Sequence, residues 1–174
     1  MAYKELYDEY FALLQERTNC QIKLSELKDG YISTKTISGK KYPYLQYRLK
    51  GKLYSEYVGE KRLPHVSTKI AERTKLIGQV SKLSIRLEKI ESAAKILDDI
   101  LYRKLVVMRQ CAAMEVMPVD ERGKTLAFGK AMAALEGIPP SEETNQNLEH
   151  WANGDFSFKE SYMKTLRTYN LVEV

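Results

Sequence analysis

Two histidines and two cysteines are all the imidazole and thiol ligands that this 174-residue chain offers a metal ion. Cys20, His65, Cys111 and His150 stand far apart, without the short pairwise spacing that a zinc site uses. Neither a metal site nor a disulfide framework is expected, and the cysteines read as buried thiols of a reducing compartment. Proline and glycine are also scarce, at five and nine residues, which sets the chain apart from collagen-like and low-complexity sequences. The longest apolar runs, such as Leu105 to Met108 and Ala131 to Leu135, fall far below the roughly 18–20 residues that cross a bilayer. The start, Met1-Ala2-Tyr3-Lys4-Glu5-Leu6, mixes acid and base and lacks the apolar stretch of a secretory signal. The expectation is a cytoplasmic protein that does not engage a membrane.

Catalytic signatures are missing as well. The sequence contains no phosphate-cradling glycine loop of the Walker kind and no Gly-x-Ser-x-Gly elbow, and neither histidine has a catalytic neighbour in sequence. The acid pairs Asp98-Asp99 and Glu142-Glu143 fall on expected helices, where adjacent side chains point apart. An enzyme is not expected, and no cofactor is called for.

What the chain does have is charge in one place. Overall, 28 basic residues face 23 acidic ones, a net +5. Residues 28–62 hold nine of the basic side chains (Lys28, Lys35, Lys40, Lys41, Arg48, Lys50, Lys52, Lys61 and Arg62) but only three acids, Asp29, Glu56 and Glu60. That segment is +6, and the other 139 residues, with 19 basic and 20 acidic side chains, are −1. Six of the twelve tyrosines lie in the same stretch. Its β-branched and aromatic runs, Tyr31 to Ile37, Lys41 to Leu49 and Lys52 to Val58, are punctuated by Ser38-Gly39 and Lys50-Gly51. This pattern predicts a three-stranded antiparallel meander. In the middle strand, the period of two puts Leu45, Tyr47 and Leu49 on one face and Tyr44, Gln46, Arg48 and Lys50 on the other. A polar, basic and aromatic face of this kind suits DNA, with Arg48 and Gln46 reaching base edges and Lys35, Lys40, Lys41, Lys50 and Lys52 bonding phosphates. A plainer alternative is a solvated face whose tyrosines cover their cross-strand neighbours.

Helical periodicity flanks the meander. Tyr3, Leu6, Tyr7, Tyr10, Phe11, Leu13, Leu14, Leu24 and Leu27 predict one helix of about 25 residues that stops at Asp29-Gly30. After Pro64, the series Leu76, Val80, Leu83, Leu87, Ile90, Ala94, Leu97, Leu101 advances in steps of four and three, a coiled-coil seam. Gly78 and Ser92-Ala93-Ala94 are candidate bends. The seam serves equally well for pairing with the first helix or for a homodimer. Beyond residue 118 come shorter helices with explicit stops. Leu126 to Glu136 ends at Gly137-Ile138-Pro139-Pro140, a second helix ends at Asn153-Gly154, and a third opens on the capping-box pattern Ser157-Phe158-Lys159-Glu160. The predicted fold is therefore α+β and mostly helical. Residues 1–117 form a long helical hairpin of coiled-coil type with a three-stranded antiparallel β head, and residues 118–174 form a small three-helix module.

The string Ala131-Met132-Ala133-Ala134-Leu135-Glu136-Gly137-Ile138-Pro139-Pro140-Ser141, followed by Trp151-Ala152-Asn153-Gly154-Asp155, resembles the small antitoxin domain of VbhA type. The resemblance runs from about Leu126 to Asn170. Those antitoxins bind Fic-family AMP-transferring toxins. Their inhibitory helix carries Ser or Thr, three variable residues, then Glu and Gly or Asn, and the Glu pairs with a toxin arginine that otherwise holds the ATP γ-phosphate. Glu136 and Gly137 match the end of that motif, while its Ser/Thr position falls on Met132. The resemblance thus implies a toxin-binding surface at Met132, Glu136, Gly137 and Trp151, facing a Fic-type or a nucleotidyltransferase-type toxin. The Gly30 to Gly59 segment is similar to the three-stranded DNA-binding head of phage-type tyrosine integrases. Together these features lead to the expectation of an antitoxin that neutralises a toxin through its C-terminal helices and contacts DNA through its sheet. The alternatives are a DNA-binding accessory protein of a mobile element and a coiled-coil adaptor.

Overall fold

The computed structural model describes residues 3–49 and 51–168. Among them are six helices and one three-stranded sheet, an α+β and mostly helical fold as the patterning predicts. The chain divides into two compact units, Met1–Asp98 and Asp99–Val174.

In the first unit, α1 (Lys4–Ser25) leads into β1 (Gly30–Ile37), β2 (Lys40–Leu49) and β3 (Lys52–Tyr57), and α2 (Leu63–Leu97) returns along α1. α1 buries Tyr10, Leu13, Leu14 and Cys20, and α2 buries Leu76, Leu83, Leu87, Ile90 and Ala94, so the predicted seam joins the two helices of one chain. Within it the Tyr10 hydroxyl donates to the Glu91 carboxylate at 2.5 Å, both groups being buried. A buried carboxylate is costly without such a donor. α1 stops without a glycine. Instead the Arg73 guanidinium, from α2, donates to the carbonyls of Leu24 and Leu27 at 3.3 Å and pairs with Asp29 at 3.1 Å. It thereby satisfies carbonyls that the helix end leaves open.

The strands follow the order β1-β2-β3, antiparallel throughout. Ser38 and Gly39, at φ 50° and 78°, make the two-residue turn with both central residues left-handed that matches strand twist. Leu45, Val58 and Val66 form a core between sheet and α2, with Ile32, Tyr47, Leu63 and Ile70 packed around it.

The helix after the sheet is shorter than the expected seam. α2 ends at Leu97, and Asp98 is extended at φ −162°, ψ 117°, so Leu97 is exposed instead of continuing the buried row. Aspartate competes with helical hydrogen bonding and favours the position just outside a helix, which makes Asp98 a natural break. The boundary between units consequently lies at 98/99 and not at 117/118. α3 (Asp99–Glu115) belongs with the later helices because its Glu115 carboxylate accepts the Lys159 amide at 3.0 Å, at the start of the last helix.

The second unit adds α4 (Val119–Leu135), α5 (Glu142–Asn153) and α6 (Phe158–Thr168). α4 starts seven residues before the predicted Leu126, since Pro118 precedes it and Asp120 and Glu121 sit in its first turn, where carboxylates favour a helix start. Its end is a Schellman cap. Gly137, at φ 73°, donates to Ala134, and Ile138 donates to Ala133. Ser141 caps α5 by accepting the Thr144 amide, and Gly154, at φ 88°, ends it. The predicted capping box starts α6: the Ser157 amide donates to Glu160 at 2.8 Å, and the Glu160 amide donates to the Ser157 hydroxyl at 3.1 Å. Donation from Ser157 to the carboxylate, by its backbone amide first and its side chain second, holds the Glu160 carboxyl below the usual glutamate range. At the centre lies Trp151, edge-on to Phe158 at 5.4 Å and covered by the Arg122 guanidinium.

Candidate nucleic-acid interface

Strand register sorts the head's side chains into two faces. Ile32, Leu45 and Glu56 are cross-strand partners, as are Tyr47 and Tyr54, and with Pro43, Leu49 and Lys52 they share the face that rests on α2. The opposite, outer face carries Tyr31, Ser33, Lys35 and Ile37 from β1, Lys40, Tyr42, Tyr44, Gln46 and Arg48 from β2, and Leu53, Ser55 and Tyr57 from β3. No carboxylate occurs among these twelve described residues.

Two of the segment's three acids, Asp29 and Glu56, are held in ion pairs away from this face. Glu56 pairs with Lys28 at 3.3 Å and Arg62 at 3.2 Å. The hydrogen bond from Lys28, then that from Arg62, holds the Glu56 carboxyl below its ordinary range, and the bond to Glu56 pushes the Lys28 ammonium up. Lys28 also lies 4.3 Å from the centroid of Tyr47, which stacks on Tyr54 at 5.5 Å. Two of the nine cations thus belong to an ion cluster on the inner side, whereas Lys35, Lys40 and Arg48 project from the outer face.

That face is held together by its own contacts. Tyr57 meets Tyr42 and Tyr44 edge-to-face, at 6.1 Å and 5.7 Å between centroids. The Lys35 ammonium sits 4.3 Å from the Tyr44 centroid and donates to the Ser55 hydroxyl at 3.3 Å. The Tyr31 hydroxyl donates to the side-chain carbonyl of Gln46. All three strands therefore contribute to one basic and aromatic surface.

Of the residues singled out for DNA, Lys35, Lys40, Tyr44, Gln46 and Arg48 come together on this surface. Lys41 and Lys52 do not. Each is one residue out of step with that face, Lys41 opposite Thr36 and Lys52 opposite Leu49. Lys50 lies outside the described residues. Tyr31, Tyr42 and Tyr57 join the surface without having been singled out, although pairing the strands about the Ser38-Gly39 turn would have put Tyr31 opposite Gln46 and Tyr42 opposite Lys35.

In the second unit, Met132, Glu136 and Gly137 lie together along the end of α4 and are exposed. α4 buries no residue fully. Its outward positions Phe128, Met132 and Leu135 form an apolar stripe at helical spacing, with Phe128 69% and Leu135 82% exposed. The stripe runs into the Glu136 carboxylate. Trp151 corrects the expectation of a partner contact: it is 2% exposed, inside the unit, because Phe158 of α6 and the Arg122 guanidinium of α4 pack over its ring. His150 makes an exposed 2.9 Å contact with Asp155 at the end of α5. Among the described residues, no group of three or more His, Cys, Asp or Glu is placed to hold a metal ion, and no helix is long and apolar enough to cross a membrane.

Residues 9–68 match the model of a family described as a domain of unknown function, DUF6788. The match takes in most of α1, the whole sheet and the first turn of α2, so it coincides with the head and the elements that support it. No curated protein and no solved structure matches the chain.

Proposed function

We propose that this is a binding protein and not an enzyme, and that the outer face of its sheet contacts nucleic acid. The observation that carries the reading is the carboxylate-free face with Lys35, Lys40 and Arg48 among four tyrosines. Cations gathered on one face release counterions when they meet phosphates, and this supplies affinity irrespective of sequence. Replacing Lys35, Lys40 and Arg48 together by alanine is expected to weaken binding of labelled oligonucleotides and to flatten the log–log salt dependence by about 2–3, at roughly 0.7–0.9 per lost phosphate contact. Fluorescence anisotropy across a salt series measures both. An unaltered slope in the triple variant counts against this face.

A second reading concerns the other unit and is compatible with the first: an antitoxin that blocks a nucleotide-using toxin. The observation that favours it is the exposed Phe128, Met132, Leu135 stripe ending in Glu136. A toxin surface with an apolar patch beside an arginine is complementary to that arrangement. Full-length protein co-expressed with a Fic-type toxin should restore growth, and two carboxylates placed in the stripe by Phe128→Asp and Leu135→Asp should lower toxin affinity by about 30-fold or more. Rescue lost on Glu136→Ala supports insertion of the carboxylate into the toxin's active site, and rescue that survives this change limits the mechanism to steric masking.

A further inference from the structure

The outer face of the sheet is richer in rings than in groups that read base edges. Tyr31, Tyr42, Tyr44 and Tyr57 occupy it together with exposed Ile37 and Leu53, while Gln46 and Arg48 are its only amide and guanidinium side chains. The Gln46 carbonyl already accepts the Tyr31 hydroxyl, which takes up part of the capacity that bidentate contact with an adenine needs. In a duplex, each base is covered above and below by its neighbours, and the grooves present edges and phosphates only. Aromatic side chains therefore gain stacking energy from bases that are already unstacked, as in loops and single strands.

The arrangement of the rings fits that demand. Tyr57 lies between Tyr42 and Tyr44 with edge-to-face contacts to both, so the three rings brace one another and lose little freedom on binding. Tyr57 and Tyr31 are among the exposed large side chains of the protein. Lys35 is held beside the Tyr44 ring by its bond to Ser55, a fixed cation next to the rings where a strand's phosphates must pass.

We infer that the outer face is a stacking platform for single-stranded nucleic acid, with Tyr57 a base-stacking ring and Lys35, Lys40 and Arg48 the phosphate contacts. This rests on the nucleic-acid reading of the sheet and adds the strand state of the ligand. The test uses the full chain with fluorescein-labelled oligo(dT) and with a mixed-sequence duplex of equal length, titrated at the same salt concentration. The single strand is expected to bind about tenfold or more tighter than the duplex. Tyr57→Ala should weaken single-strand binding by about 5- to 100-fold, the equivalent of one lost base–aromatic stack, while Tyr57→Phe, which keeps the ring, should retain it. Because Tyr57 is exposed, circular dichroism of both variants should match the parent protein. Equal or tighter duplex binding, or full single-strand affinity in Tyr57→Ala, overturns the inference while leaving the sheet as a nucleic-acid contact. Absence of binding to both probes at low salt overturns the sheet reading itself, and the inference with it.

Discussion

Trp151→Ala is expected to destabilise the Asp99–Val174 unit by about 3–5 kcal/mol, the range for removing a buried large aromatic from a core. The indole is 2% exposed, meets Phe158 edge-on at 5.4 Å and lies beneath the Arg122 guanidinium. Arg122 in turn donates to the backbone carbonyls of Met117 and Trp151. Loss of the ring therefore leaves a cavity where α4, α5 and α6 converge and loosens the arginine that ties α4 to α5. A unit of this size carries only about 4–11 kcal/mol in all, so a large share of it goes. Trp151→Phe should be milder. It keeps an aromatic ring and removes an indole N–H that is buried without an acceptor among the described residues, a group that itself costs about 1–3 kcal/mol. Thermal unfolding followed by circular dichroism ranks the variants. Trp151 is the chain's one tryptophan, so its fluorescence follows this unit in the parent protein. A Trp151→Ala protein that melts like the parent but no longer binds its partner would return the indole to the surface role that the resemblance implied.

The second large effect separates two leucines of one heptad series. Leu87→Ala should cost about 2–5 kcal/mol, because Leu87 is 1% exposed in the α1–α2 seam and its truncation leaves a cavity between the helices. Leu97→Ala should change stability by no more than about 0.5 kcal/mol, because Leu97 is 54% exposed at the last position of α2. Urea unfolding of each variant gives the comparison. A Leu97→Ala protein whose deficit relative to the parent widens as protein concentration rises indicates a second copy covering this end, the homodimer that the seam also permits.

These leucines mark how far sequence patterning carries. Ser38-Gly39, Ser157 with Glu160, and Gly137 act within a few residues of themselves, and the turn and caps form where local chemistry asks for them. The period of two likewise assigned Tyr44, Gln46 and Arg48 to one face of β2, because alternation is a property of the strand alone. Charge and proximity alone would group Lys41 and Lys52 with that face, but parity puts them on the other. Leu97 and Trp151 obey a different rule, since whether a large apolar side chain is buried depends on residues far along the chain that come to cover it.

Chain order and residue chemistry were thus enough for the mostly helical α+β class, the three-stranded meander, the concentration of positive charge in residues 28–62, and the alternating face that carries it. Long-range packing settled the rest: the break at Asp98, the burial of Trp151, the ion cluster that removes Lys28 and Arg62 from the basic excess, and the meeting of Tyr42, Tyr44 and Tyr57 beside Lys35. Turns, caps and alternation are set by torsions and hydrogen bonds between near neighbours. Burial and ion pairing are instead set by which distant surfaces exclude water from a group.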